Sequence, residues 1–530
     1  MSESGKQGAR GAQLVAAGIL LSRVFGLVRE RAFAHYFGNS DAGDAFRAAL
    51  RIPNVLQNLF GEGVLSASFI PAYARRLAEG NEVVARRLAS AVATLLTLAT
   101  SVLVLLGVIA TPLLIDLIAP GFEGEKREAA IRLVQIFFPG TGLLVLSAWC
   151  LGVLNSHRRF FLSYSAPVLW NLAIIGALFL YGGRFEGYAL GERVAWGLVL
   201  GSALQLLVQL PSAWSLVGGI RPQLGLGESD VRQVLTNFLP ALGSRGVVQL
   251  SAYMDNLLAS LLPTGALSAM GYAQTLYLLP VSLFGMSVTA AQLPAMSSAT
   301  GSEAEIAMAV RAQLDRGLAR IAFFIVPSAV AIVGLGDVLV GAMYQTGAFD
   351  ASGTRYVWAV LAGYGVGLVA ATQARLYASG FYALGDTRTP LKFATARVLL
   401  GIALGSFAAL LLPGWLGFGR EWGAVGLTLA ASVAGWMEFV LLRDGLAARV
   451  GGGGVPWGLQ ARLFGSALPA GAFGFATKLA LGPELHPVLR GVAVVAVFGV
   501  VYLGLALALG VPEARGVAER VRSRLGRRSG

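Results

Sequence analysis

Charged side chains interrupt an otherwise apolar stretch from Ala12 to Pro71, among them Arg23, Arg29 and Glu30, then Asp44, Arg47, Arg51 and Glu62. A charge at the centre of a membrane helix costs about 2.5–3.5 kcal/mol on insertion scales, so such groups face a water-filled cavity or a partner and mark substrate paths. Two uses are open to the set. The charges can pair with one another and specify packing, or the arginines can hold an anion. A guanidinium grips phosphate oxygens through two parallel hydrogen bonds. A chain this apolar could specify packing more cheaply with Gly and Ser, so a phosphate-bearing anionic ligand is the expected partner.

The elements that must present these groups are two helices. Arg23 and Glu30 are seven residues apart and share a face two turns apart, with Arg29 off that face. Gly26, between them, is expected to admit a close neighbouring helix. In the second helix Asp44, Arg47, Arg51, Asn58 and Glu62 fall on one stripe, at spacings of three, four and seven. Pro53 lies in this stripe and frees the carbonyl of Ala49, which predicts a kink or break. A seventh helix adds Arg245, Gln249, Asp255 and Asn256, with Arg245 and Asn256 on one face. The fifth offers Trp170 and Asn171, where an interior amide satisfied by its own surroundings is the competing reading. Arg375 and Arg397, near helix ends, are expected to snorkel to the interface, and His35 and His157 to lie there as well.

Composition sets the class. Of 530 residues 56% are hydrophobic and only 13% charged, with mean hydropathy +0.68. Soluble domains are about a quarter charged, so this is an all-α, polytopic membrane protein. The 69 glycines suit close helix packing in lipid. A single cysteine, Cys150, excludes a disulfide framework, and three histidines without ligand spacing argue against a metal centre. The net charge of +13 does not indicate nucleic acid, because the basic residues sit in short loops and the tail. No Gly-rich phosphate loop in a strand–helix context, Ser–His–Asp set or cofactor motif is present, so no enzyme is expected. No cleavable signal is expected either.

Apolar stretches of about 20 residues mark about fourteen spans. They centre near Leu21, Val55, Val104, Leu144, Leu172, Leu204, Leu250, Leu283, Val326, Val366, Leu404, Ala431, Phe473 and Val497. Lys and Arg alternate between the loops so as to place both termini in the cytoplasm, with Arg75, Arg76, Arg86, Arg87, Arg158, Arg159, Arg388 and Lys392 on that side. Two looser connections, Gly218 to Asp230 and Gly451 to Pro456, divide the chain. The expected domains are a six-helix lobe over 1–218, a second over 219–450, a lipid-facing helix pair over 451–510 and a basic cytoplasmic tail over 511–530 that meets anionic membrane lipids.

The residues from Ser22 to Glu30, Asp44-Ala-Phe, Ile52-Pro-Asn-Val-Leu, Phe60-Gly-Glu-Gly63 and Phe69-Ile-Pro71 resemble the opening of the lipid II flippases, within the multidrug/oligosaccharidyl-lipid/polysaccharide exporter superfamily. The likeness continues through Ala119-Pro-Gly-Phe122, Leu154-Asn155, Arg159-Phe160, Ala166-Pro167 with Asn171, Ala259-Ser260, Gly380-Phe-Tyr382 and Asp386-Thr-Arg-Thr-Pro390, and so covers essentially the whole chain.

The resemblance implies an alternating-access flippase of the bacterial inner membrane. It moves undecaprenyl-pyrophosphate-linked disaccharide pentapeptide (lipid II) to the outer leaflet for peptidoglycan synthesis, beside the cell-wall machinery. It further implies a cavity lined by the first, second, seventh and eighth helices and a lipid-tail groove on the last two. Arg23, Arg29, Glu30, Asp44 and Glu62 match the family's charged positions; Asn171 and Asp255 match positions that are often polar.

Two departures stand out: Gln57 replaces a usual arginine, and Gln274-Thr275 replaces Asp-Arg. Arg47, Arg51 or Arg245 are expected to supply the missing charge. With these included, the expected substrate-binding set is Arg23, Arg29, Glu30, Asp44, Arg47, Arg51, Glu62, Asn171, Arg245 and Asp255. Helix eleven lacks acids, which disfavours a sodium site there. The alternatives are a flippase for another polyprenyl-pyrophosphate glycan, such as an O-antigen or capsule unit, and a non-transporting scaffold of the cell-wall machinery.

Overall fold

The computed structural model describes the backbone from Glu3 to Gly526, and side chains over 17–61, 63–66, 68–238 and 253–519. Arg245, Gln249 and Glu62 therefore lie outside the described side chains.

Helices account for nearly all of the described chain. The first group is α1 (Glu3–Phe37), α2 (Asp41–Phe60), α3 (Glu62–Ala78), α4 (Glu82–Ile118), α5 (Gly124–Ser156), α6 (Phe160–Ser165), α7 (Pro167–Tyr181), α8 (Gly187–Val217) and α9 (Ser229–Ser260). There follow α10 (Ala266–Pro280), a π-helical turn (Val281–Met286), α11 (Ser287–Ser297), α12 (Glu303–Tyr344), α13 (Ala351–Ala383) and α14 (Arg388–Leu410). The last are α15 (Leu412–Trp415), α16 (Gly423–Val450), α17 (Trp457–Ala480), α18 (Pro487–Ala508) and α19 (Pro512–Gly526). The fourteen expected centres all fall in separate helices or unbroken helical runs. By length and hydropathy, ten of the described runs qualify as membrane spans. The runs α1, α2–α3, α9 and α17 do not, and the first two of these carry the charged residues from Arg23 to Glu62.

The chain packs as two compact units, Met1–Ser268 and Ala269–Gly530. In the first, α5 is the central helix: 78% of its apolar window is buried, against 28% for α4 and 39% for α8. It packs on α8, α2, α4 and α3, while α7 joins α1 to α8 and α9 rests on α3 and α4. Leu65, Phe69, Tyr73, Leu88, Val145, Trp149 and Val153 form its core. On α4 the stripe Leu106, Ile109, Leu113 and Leu117, spaced by three or four, is 55–71% exposed. An apolar stripe left bare at that period is a lipid-facing surface.

Pro53 does not break the second span. Helix α2 runs through it to Phe60, and the break comes at Gly61, where ψ swings to −146°. Gly61 N–H donates to the Gln57 carbonyl at 2.7 Å, ending α2, and its own carbonyl accepts from Leu65 N–H at 3.2 Å, starting α3. A Cβ on Gly61 would run into the Gln57 carbonyl oxygen, so the corner takes only glycine.

In the second unit α13 is clasped by α12 and α16, and the α17–α18 hairpin packs on α12. Phe323, Val326, Leu335, Leu463, Val494 and Phe498 make a common core there, and Tyr502 donates its hydroxyl to the Phe323 carbonyl at 2.6 Å. The hairpin's Lys478 pairs with Asp337 of α12 at 2.5 Å. The linker before it takes positive φ at Gly451, Gly452, Gly453 and Gly454, a path that only glycine follows without strain. Gly454 N–H and the Gly451 carbonyl tie it back to Asp315 and Arg311 at 2.7 Å each.

Candidate functional site: a charged trio beside a polar cavity

The tight turn between α1 and α2 brings the helices near enough for long side chains to bridge them, so residues seventeen apart in sequence meet. Glu30 accepts from Arg29 at 2.7 Å through one carboxylate oxygen and from Arg47 at 2.9 Å through the other. Each guanidinium also covers an aromatic ring, Arg29 at 4.9 Å from the Trp170 centroid and Arg47 at 5.0 Å from that of Phe33. The side chains are only 22%, 12% and 17% exposed for Arg29, Glu30 and Arg47. Two cations share one carboxylate in a largely desolvated place, where an added anion is favoured beside them.

Arg29 reaches the wall of a cavity of about 670 Å³ enclosed by the first unit. The α1 face contributes Ser22, Gly26 and Arg29, and α2 contributes Gln57 and Asn58. Further polar lining comes from Ser147 of α5, Trp170 and Asn171 of α7, and Gln205 of α8, with Trp170 directly beneath Arg29. Gly26 does not seat a neighbouring helix as expected. A Cβ there would meet nothing within 4 Å, so its missing side chain widens the cavity instead.

This part of the wall is neutral and hydrogen-bonded. Gln205 Nε2 donates to Ser147 Oγ at 3.0 Å, and Ser147 in turn donates to Gln209 Oε1 at 2.7 Å. Asn171 Nδ2 donates to the Pro167 carbonyl at 3.1 Å, whereas Asn171 Oδ1 and Trp170 Nε1 are buried without a hydrogen-bond partner. Ser147, Gln205 and Gln209 escaped the sequence reading, which weighed charges. Their signal was there: two glutamines four residues apart in an apolar helix share one face.

The other expected site residues are placed elsewhere. Asp44 is 2% exposed and serves a different assembly. Its oxygens accept from the N–H groups of Gly265 and Ser268 at 2.8 Å each, and from Lys126 at 3.2 Å. Lys126 also pairs with Asp41 at 2.6 Å, and Asp41 accepts from the Thr264 hydroxyl at 2.9 Å. Arg23 is exposed, while Arg51 and Asp255 are half-buried; none of the three is among the residues lining the cavity. Asn256 is 3% exposed and donates to the Ile118 carbonyl at 3.2 Å, tying α9 to the end of α4. In the second unit Arg397 pairs with Glu438 at 2.9 Å instead of snorkelling, because α16 brings an acid beside it. His157 accepts or donates at Nε2 to the Tyr73 hydroxyl at 3.0 Å, so it is tied to the core of the first unit.

This fold is that of membrane transporters. An inward-facing multidrug resistance MATE transporter of the MOP superfamily aligns with TM-score 0.64 at 17% identity, over 81% of this chain and 95% of its own. A structure of the lipid II flippase MurJ in an inward closed conformation aligns with TM-score 0.75 at 25% identity, over 93% of this chain and 98% of that one. Residues 33–473 match the family model described as lipid II flippase MurJ. The lipid II flippase MurJ of Burkholderia cenocepacia is 34% identical over 439 residues, covering 81% of this chain and 82% of the relative. A probable lipid II flippase MurJ of Rhizobium tropici is 31% identical over 433 residues, covering 81% and 79%. The chain belongs to the MurJ lipid II flippase family.

Proposed function

We propose that this chain translocates lipid II from the cytoplasmic to the outer leaflet of the bacterial inner membrane by alternating access, supplying peptidoglycan synthesis. Family membership supports the substrate. The observation that carries the mechanism is Arg29 on a cavity wall, held with Arg47 by a single carboxylate.

The pyrophosphate enters beside Arg29 and Arg47, and Glu30 keeps the empty site's charge tolerable. Asn171 lies on the cavity wall, Arg23, Arg51, Arg245, Glu62 and Asp255 belong to the substrate-binding set on sequence grounds, and Asp44 anchors the turn at Gly265. Replacement for the charge lost at Gln57 comes from Arg47, Arg51 or Arg245. The polyprenyl tail stays in lipid, along an apolar groove of about 340 Å³ bounded by Phe284, Phe323, Phe324, Val494 and Phe498. The six-helix lobes ending and starting at 218/219 rock as bodies, both termini facing the cytoplasm, next to the cell-wall synthesis machinery. A membrane potential, worth about 2.3 kcal/mol per charge per 100 mV, resets the empty, net positive site.

Complementation tests this in bacteria depleted of their own lipid II flippase, with outer-leaflet lipid II read directly. The wild type is expected to restore growth and export, and Arg29→Ala and Arg23→Ala at matched expression are not. Rescue by both variants would overturn the arginine mechanism. Failure of a well-expressed wild type would overturn the substrate.

A further inference from the structure

We propose that the neutral wall of the first unit's cavity is a glycan subsite: Ser147, Asn171 and Gln205 bind the sugar next to the pyrophosphate through uncharged hydrogen bonds. This rests on the lipid-linked substrate proposed above.

Three observations support it. The cavity's volume, about 670 Å³, lies in the range of about 300–1,000 Å³ typical of small-molecule sites. Among its described lining residues Arg29 alone is charged, and the rest of the polar lining is hydroxyl and carboxamide. Those groups match sugar hydroxyls and N-acetyl amides, which both donate and accept, and they do not match a second anion. The third observation is a local cost with no structural return. Asn171 is 5% exposed and its Oδ1 has no partner, and neither does the neighbouring Trp170 Nε1. Buried polar atoms without partners destabilise a fold. Trp170 and Asn171 both line the cavity, so the acceptor and the donor left open on one turn of α7 are a pair that a ligand can satisfy once the side chains turn toward it.

The arrangement also sets a geometry. Arg29 stands at the junction, paired with Glu30 on one side and lying over the Trp170 ring of the neutral wall on the other, so the phosphate end and the sugar end of one ligand are read by different chemistry. Gly26 leaves the space in between open. Discrimination follows because a site built to hydrogen-bond a group rejects an analogue that lacks it.

The test is equilibrium binding to purified full-length protein in nanodiscs, with three probes: lipid II, undecaprenyl-pyrophosphate disaccharide without peptide, and undecaprenyl pyrophosphate. The wild type is expected to bind both sugar-bearing lipids more tightly than the bare pyrophosphate. Asn171→Leu and Gln205→Leu are each expected to weaken the sugar-bearing lipids about tenfold, and to leave undecaprenyl pyrophosphate unchanged, which also shows that the variants fold. Arg29→Ala is expected to weaken all three. Equal losses on all three probes in the leucine variants would overturn the subsite and make the wall structural. A preference that vanishes when the peptide is removed would overturn it in favour of peptide recognition. A wild type that binds none of the probes would overturn the functional reading itself, and the subsite with it.

Discussion

Glu30 and Asp44 are fourteen residues apart on consecutive helices, and these two acids are held by opposite means. Glu30 is gripped by two arginine side chains at 2.7 and 2.9 Å, on helices α1 and α2. Asp44 is gripped chiefly by backbone, the N–H groups of Gly265 and Ser268 at 2.8 Å, with Lys126 at 3.2 Å. Side-chain cations can swing to a ligand phosphate and be replaced in turn. Backbone donors at a chain turn cannot move without moving the turn. The first arrangement therefore suits a site that exchanges partners, and the second suits an anchor.

The largest effect expected from breaking this contrast is at the anchor. Asp44→Ala strands two buried N–H groups and weakens the pairing of Lys126, at a cost of about 3–5 kcal/mol, as for a buried ion pair that loses one member. Thermal unfolding in detergent is expected to show a large drop. An unchanged midpoint would show that the turn is held by other contacts.

Glu30→Ala is expected to cost less, about 2 kcal/mol, because its partners are partly exposed and can rehydrate. Removing Arg47 in the same background is expected to recover part of that loss, since the second cation then has nothing to repel. A strictly additive double mutant would mean that the trio is not coupled.

Ser147→Ala, on the neutral wall, removes the hydroxyl that joins Gln205 to Gln209 and is expected to cost about 1 kcal/mol. Asn171→Leu is expected to be neutral or slightly stabilising, because it deletes an unsatisfied buried acceptor. A clear loss of stability there would remove the reason for assigning the residue to a ligand.

The smallest effect sharpens the anchor side of the comparison with a half-buried case at a helix start. Asp386 begins α14 by accepting from the Thr389 hydroxyl at 2.6 Å and from the Thr389 and Arg388 N–H groups at 3.0 and 2.9 Å, with Arg449 alongside at 2.7 Å. The Thr389 hydroxyl and N–H bonds, with smaller help from Arg388 and Arg449, lower its carboxyl to about 2 from the ordinary 3.8. A depressed folded-state value gives stability that is present above about pH 4 and is lost as pH falls through the folded value near 2. Asp386→Asn is expected to lower the melting temperature slightly at pH 6, with the difference from wild type shrinking between pH 4 and 2. A difference that stays constant over that range would exclude the carboxylate as its source.

Much of this was legible in the residue order. The centres of the fourteen helical runs, the all-α class and the charged first spans follow from hydropathy and spacing, because the bilayer allows only one way to satisfy a long apolar segment's backbone. The helical period also put Glu30 and Arg47 on inward faces. What spacing could not decide was which inward face meets which. Only the packing made Glu30 the partner of Arg29 and Arg47, sent Asp44 to a distant turn, moved the break from Pro53 to Gly61 and paired Arg397 with Glu438. It also joined Ser147 of α5 to Gln205 and Gln209 of α8, residues about sixty apart in the chain. A helix's own period fixes the direction of a side chain about its axis. The neighbour in that direction is set by how the whole bundle closes, and that information is spread over every helix at once.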